Sequence, residues 1–156
     1  MAVPQPSRHA GGRPEVAPAL FRLLSESALS RAALDACGVP LVLVDAAAEG
    51  NAISYVNRAF EAFFGFRAAE ALGRPAANLL FTDAAAAARL FREPQAQLLL
   101  QAQRKDGSLA HAEVSVGAVH GVDGRVTHWV LAFSDRTELE QLRAELHALR
   151  ASATGV

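Results

Sequence analysis

Between Asn51 and Arg74 the chain reads NAISYVNRAFEAFFGFRAAEALGR, and within this stretch the period of the apolar pattern changes at one residue. Ile53, Tyr55 and Asn57 alternate with Ser54 and Val56, as in a half-buried strand. Phe60, Phe63 and Phe64 then fall at the i, i+3, i+4 spacing of one helix face. The switch predicts that the Asn57 side chain caps the helix, its oxygen accepting from backbone N–H groups that lack an intrahelical partner. Glu61 sits in the first turns, where negative charge is favoured. Gly65 ends the aromatic run, Ala68 to Leu72 predicts a second short helix, and Gly73 stands where a left-handed cap is wanted. Glu70 and Arg74, four residues apart, read as a surface ion pair supporting that helix. The product is a compact strand, helix, turn, helix unit.

Asn57, Ala59 and Phe60 followed by Gly65, Phe66, Glu70, Leu72, Gly73 and Arg74 resemble the signature of the PAS domain family, a strand with N-x-A-F and then G-[FY]-x-x-x-E-x-[LI]-G-R. The resemblance implies an α+β fold with a five-stranded antiparallel sheet, short helices on one face, and flanking helices at both ends. It leaves the ligand to be decided by the flanking segments.

A chain of 156 residues is long enough to bury one core without disulfide or metal staples. Its formal charge of -1 provides no basic excess to draw it to nucleic acid or to a membrane surface, so neither partner is expected. Cys37 is the only cysteine, which excludes an internal disulfide framework and a Cys-rich zinc site and suits a reducing cytoplasm. No apolar run approaches the roughly 18 residues of a membrane span, and the first residues lack the apolar core of a signal peptide. The expected location is the cytoplasm.

In chain order, residues 1–14 are rich in proline and glycine and are expected to form a disordered tail. Residues 15–37 carry a helical pattern, with a bend around Ser25 to Ser30, that Gly38 and Pro40 stop. The core is expected over 38–135. It opens with a buried strand from Pro40 to Asp45 that pairs with Ile53 to Asn57. Asn78 to Phe81 reads as a linker, and Thr82 or Asp83 caps a helix from Ala84 to Arg92 that Glu93 and Pro94 end. Gln97 to Arg104, Ser108 to Ala118 and Val126 to Ser134 read as an antiparallel meander, joined by turns at Lys105-Asp106-Gly107 and Val122-Asp123-Gly124. Leu98, Leu100 and Ala102, then Ala110, Ala112, Val114 and Val116, then Trp129, Leu131 and Phe133 are expected to face inward.

A helix is expected over 136–151, with 152–156 a disordered end. Asp135-Arg136-Thr137 resembles the D-[IV]-T at which PAS cores hand over to a signalling helix, with Arg136 in place of the aliphatic. Leu139, Leu142, Leu146 and Leu149 repeat at three, four and three residues, the a/d seam of a coiled coil. Two heptads are marginal alone, so the seam requires a homodimer partner or the outward sheet residues His128, Val130 and Ala132.

The order of elements, the Arg104 to Ser108 turn and the sequence Thr127 to Thr137 are similar to the light-oxygen-voltage (LOV) branch of the family, which binds flavin and forms a cysteinyl photoadduct. The resemblance aligns the adduct cysteine with Ala76, and the branch's polar flavin contacts with Pro75, Ala77, Leu80, Ala102, Ala112 and Phe133. None of these can hydrogen-bond an isoalloxazine edge through its side chain or bind a phosphate, so no flavin is expected. Heme, the other cofactor the family implies, needs an axial ligand such as a histidine on the central helix. Ala84 to Arg92 contains none; His9, His111, His120, His128 and His147 lie elsewhere, and heme and metal are not expected. The remaining lining, Leu98, Leu100, Val114, Val116, Leu131 and Phe133, either fills the core or leaves an apolar pocket for a small ligand.

The chain has no nucleophile elbow, P-loop, metal-binding H-E-x-x-H or Cys/His metal spacing, and Glu113 is expected to point outward with His111 and Ser115. No catalytic residue is expected, and the chain is not an enzyme on this reading. The sequence therefore predicts a bacterial-type sensory, signal-relay and dimerisation module without LOV photochemistry, coupled to an output domain or to a partner such as a histidine kinase. A sensor with an apolar ligand, or a flavin-binding photoreceptor without adduct chemistry, are the alternatives.

Overall fold

The computed structural model describes residues 26–92 and 97–154. Two compact units divide the chain, Met1–Leu34 and Asp35–Val156. Residues 26–36 are helical (α1) and cross that division. The expected tail 1–14, the first part of the expected helix 15–37, and the expected stop at Glu93 and Pro94 lie outside the described residues.

The second unit contains β1 (Leu41–Asp45), β2 (Ile53–Val56), α2 (Arg58–Phe64), α3 (Ala68–Ala71), α4 (Ala76–Leu80), α5 (Ala84–Ala88) with a 3₁₀ turn at Arg89–Phe91, β3 (Gln97–Gln103), β4 (Leu109–His120), β5 (Val126–Asp135) and α6 (Thr137–Thr154). The five strands form one antiparallel sheet in the order β2-β1-β5-β4-β3. Consecutive β3, β4 and β5 are the expected meander. The chain returns so that β1 lies beside β5, pairing Val42 with Leu131 and Val44 with Trp129.

Alternation along the strands sends one set of side chains into a common core. Val42 and Val44 of β1, Ala110, Ala112, Val114 and Val116 of β4, and Leu131 and Phe133 of β5 are buried. Helices α2 to α5 and the 3₁₀ turn supply Phe60, Phe64, Ala71, Ala76, Leu80, Ala87 and Leu90 to the same cluster. Each large side chain buried there contributes about 1.5–3 kcal/mol relative to exposure. Leu98, Leu100 and Trp129 are partly buried against the cluster.

Three local expectations change. Asn78 to Phe81 is not a linker: α4 runs Ala76–Leu80 behind Pro75, whose fixed φ of -62° suits a helix entrance, and Leu80 and Phe81 are buried. The expected helix Ala84 to Arg92 is α only to Ala88, then tightens into the 3₁₀ turn, with Asp83 Oδ1 accepting from Ala86 N–H at 3.0 Å. Glu70 does not pair with Arg74, because α3 stops at Ala71 and Gly73 takes a φ of +79°, which removes the helical i, i+4 spacing. Its carboxylate instead accepts from Lys105 Nζ at 2.6 Å and from Arg67 N–H at 3.0 Å.

Candidate functional site

Asn57 is buried and does more than cap α2. Its Oδ1 accepts from Phe60 N–H at 3.0 Å and from Leu41 N–H at 2.9 Å, while Nδ2 donates to Val39 C=O at 2.8 Å. Capping is a local interaction read from spacing, whereas the bonds to Val39 and Leu41 span 18 and 16 residues and carry no sequence signal. One amide therefore holds the segment entering β1 against the start of α2. Cys37 lies on that entering segment, before β1, with its carbonyl 3.5 Å from Asn57 Nδ2. A second tie is the Tyr55 hydroxyl, which donates to Asp35 Oδ1 at 2.8 Å.

The positions aligned with flavin contacts converge, as the fold requires. Ala76, Leu80, Ala102, Ala112 and Phe133 are buried in the core cluster, and Pro75 and Ala77 are half-buried beside it. No side chain among these seven carries a hydrogen-bonding atom. The Phe133 ring meets Phe64 edge-on at 5.1 Å between centroids and stacks on Phe81 at 6.0 Å. Phe60 and Phe64 follow at 4.7 Å, so four rings run through the centre of the domain. Phe81 was missed in the sequence reading; the Leu79-Leu80-Phe81 run after a proline was the available signal.

Hollows among the described residues touch this centre only at its margins, at Phe64 and Pro75. One of about 460 Å³ is lined by Ala62 to Gly65 and Arg104 to Asp106, and another of about 300 Å³ by Phe66, Arg74, Pro75, Asn78, Leu79 and Gln103 to Lys105. A third, of about 310 Å³, lies at the root of α6 among Leu99, Glu113, Arg136, Leu139, Glu140 and Arg143. Leu131 and Phe133 line none of the three. Among the described residues no group of three or more His, Cys, Asp or Glu side chains is placed to hold a metal ion.

Arg104 links the first hollow to α6. Its Nε donates to Phe63 C=O at 2.9 Å, its guanidinium lies 4.9 Å from the Phe63 ring centroid, and Nη2 is 3.9 Å from Asp135 Oδ2. Asp135 Oδ1 accepts from both the N–H and the hydroxyl of Thr137, at 2.9 and 2.6 Å. Burial, the largest influence on this carboxyl, pushes its pKa up, but the Thr137 bonds and the Arg104 charge together outweigh it and the net shift is downward. Thr137 Oγ1 in turn accepts from His111 N–H at 3.1 Å, and Arg136 N–H donates to His111 C=O at 2.7 Å. Arg136, which stands where the resemblance implies an aliphatic residue, places Nε 3.4 Å from Glu113 Oε2, an ionic contact outside hydrogen-bond geometry.

Beyond this root α6 leaves its leucines open to solvent. Leu139, Leu142, Leu146 and Leu149 are 39%, 55%, 49% and 66% exposed, and every residue from 141 to 150 is exposed. The helix runs to Thr154, past the expected end at 151, with the Ser152 and Thr154 hydroxyls donating to carbonyls of its last turns.

A five-stranded antiparallel sheet in this order, with short helices on one face and a departing C-terminal helix, defines a class of sensory α+β domain. The PAS fold family matches residues 28–136, and the chain belongs to it. The bacterioopsin transcriptional activator of Halobacterium salinarum is 29% identical over 137 residues, covering 82% of this chain and 20% of that protein. The chain thus spans about a fifth of the length of that curated relative. Among solved structures, an RNA-binding light-oxygen-voltage receptor is 25% identical with a TM-score of 0.70, over 97% of this chain and 41% of the other. The PAS domain of the fruit-fly ELK potassium channel superposes with a TM-score of 0.61 at 17% identity, over 72% of this chain and 96% of that one. Neighbours in the LOV branch and in a channel share the fold, so the fold alone does not select a ligand.

Proposed function

We propose that the chain is the sensory and signal-relay segment of a cytoplasmic signalling protein, acting as a homodimer, with no catalysis of its own and no LOV photochemistry. The observation that carries this reading is the pairing of two features: an aromatic centre in which Phe133 contacts Phe64 and Phe81, and a leucine seam on α6 left exposed. A flavin does not fit the aligned residues, which are apolar at every position. Membership in the PAS family and the likeness to a transcriptional activator support a signalling role.

Relay would proceed from the sheet to α6. A shift of β4 or of the β3–β4 turn acts on His111 and Arg104, and both hold the Asp135–Thr137 cap from which α6 departs. Two arrangements of that root would present two geometries of the helix to an output domain, or to a separate effector such as a histidine kinase.

The alternative of a small apolar ligand is favoured by one observation: Leu98 and Leu100 pack against the core but are only partly buried. The absorption spectrum of the purified protein, with native mass spectrometry and light scattering, tests these readings together. The expected result is a colourless dimer of unmodified mass. An absorption band near about 450 nm would establish flavin and a Soret band heme, a bound apolar molecule would establish the ligand sensor, and a monomer at tens of micromolar would remove the dimer.

A further inference from the structure

Because α3 stops at Ala71 and the Glu70 carboxylate turns to Lys105, Arg74 is left without an acidic partner. Its backbone is nonetheless fixed: the Arg74 C=O accepts from Ile53 N–H at 2.9 Å, and its N–H donates to Ala71 C=O at 3.1 Å. Arg74 lines the hollow of about 300 Å³ between the entrance of α4 and the end of β3, together with Asn78 and Gln103. All three residues are exposed, and among the described residues none of their side chains makes a hydrogen bond or an ion pair. Lys105 adds an ammonium group to the same hollow, and Glu70 takes one of its three donors. Arg104 is more committed, with Nε on Phe63 C=O and Nη2 near Asp135. No carboxylate lines this hollow, whereas Asp106 lines the one of about 460 Å³ and Glu113 and Glu140 line the one at the root of α6. The rest of its lining is apolar and half-buried: Phe66, Pro75 and Leu79.

We infer that this hollow binds a small aromatic anion, its carboxylate or phosphate held by Arg74 and Lys105 and its ring against Phe66 and Leu79. The planar fork of a guanidinium offers two parallel N–H bonds to either kind of acidic group, and Arg74 has no protein partner to give up first. The amides of Asn78 and Gln103 can serve polar substituents on the ring. Exposed cations attract weakly and are screened by salt, so the apolar wall has to supply part of the affinity, which selects a ring over a bare ion. The volume is at the lower end of small-molecule sites and limits the ligand to a small ring system. Of the seven positions aligned with flavin contacts Pro75 alone borders this hollow, so the site is distinct from the interior where the family resemblance implies a cofactor.

The site is independent of how α6 associates, and the test uses the full chain, isotope-labelled and titrated in NMR with phenyl phosphate, benzoate and inorganic phosphate. At least one aromatic probe is expected to saturate with a Kd below about 1 mM, shifting Arg74, Asn78 and Gln103, with inorganic phosphate about tenfold weaker. The tighter of the two aromatic probes identifies the acidic group. Arg74→Ala is expected to weaken that probe about tenfold or more. Arg125→Ala, which removes an 89% exposed cation at the β4–β5 turn, is expected to leave it unchanged. Phe66→Leu is expected to weaken the aromatic probe about threefold and not inorganic phosphate, with a thermal melt verifying that the core is intact. No saturable shift of these residues by about 10 mM of either aromatic probe overturns the site. Equal losses from Arg74→Ala and Arg125→Ala, or inorganic phosphate binding as tightly as the aromatic probes, reduce it to general attraction of anions and overturn it as well. Shifts confined to the core around Leu131 overturn it in favour of an interior ligand.

Discussion

Asn57 shows how one side chain acquires two roles. Its spacing before Phe60 is enough to make it a helix cap, and the fold then uses the remaining valences of the same amide to hold Val39 and Leu41. Asn57→Ala removes the cap and leaves the Leu41 N–H and Val39 C=O, both on part-buried bonds, without their partner, at an expected cost of about 2–4 kcal/mol. Urea unfolding checks this; a midpoint within error of the wild type would refute the three-way bond. Phe133 poses a different question. With rings on two sides, Phe133→Ala is expected to cost about 3–5 kcal/mol. A loss below about 2 kcal/mol would mean that the core already holds space beside the ring, which favours the apolar-ligand alternative. Asn57 was legible as a cap from the sequence because capping is local; the aromatic contacts of Phe133 were not, because they join residues some 50 to 70 positions apart.

At the junction between β5 and α6, charged side chains hold the start of the helix. Asp135 has a folded pKa below its ordinary 3.8, so its favourable contribution is fully present above that value and is lost as pH falls through the lower folded value. Circular dichroism or hydrogen exchange of α6 between pH 4 and pH 2 is expected to show the helix root fraying in that window. Asp135→Asn should abolish the pH dependence of the root; fraying with the same profile in that variant would assign it to another group. Arg136 and Glu113 are both more than a third exposed, so their ionic contact is worth little. Arg136→Ile, which installs the aliphatic residue that the family resemblance implies, is expected to change stability by less than about 1 kcal/mol in thermal or urea unfolding. The strands and helices themselves followed from periodicity, with a miss at α4, whose short run gives little hydrophobic contrast, and a late boundary at α5, which starts at Ala84 as expected but tightens into a 3₁₀ turn after Ala88.

For the whole molecule, the exposure of α6 beyond its root predicts that helix association and core stability fail separately. Leu146→Asp is expected to abolish association in sedimentation while the melt of the core stays within a few degrees of the wild type, because that leucine is 49% exposed in the single chain. A large drop in core stability would instead mean that α6 folds back onto the domain. The sequence alone determined the family, the order and type of most elements, the inward faces of the strands and the leucine seam, since each rests on residues within one or two turns or on strict alternation. Only the tertiary structure decided the partners of Glu70, the second role of Asn57, the rings around Phe133 and the Arg104 link to Asp135. These are contacts between segments distant in sequence, set by how the helices dock on the sheet, and no local period encodes that docking.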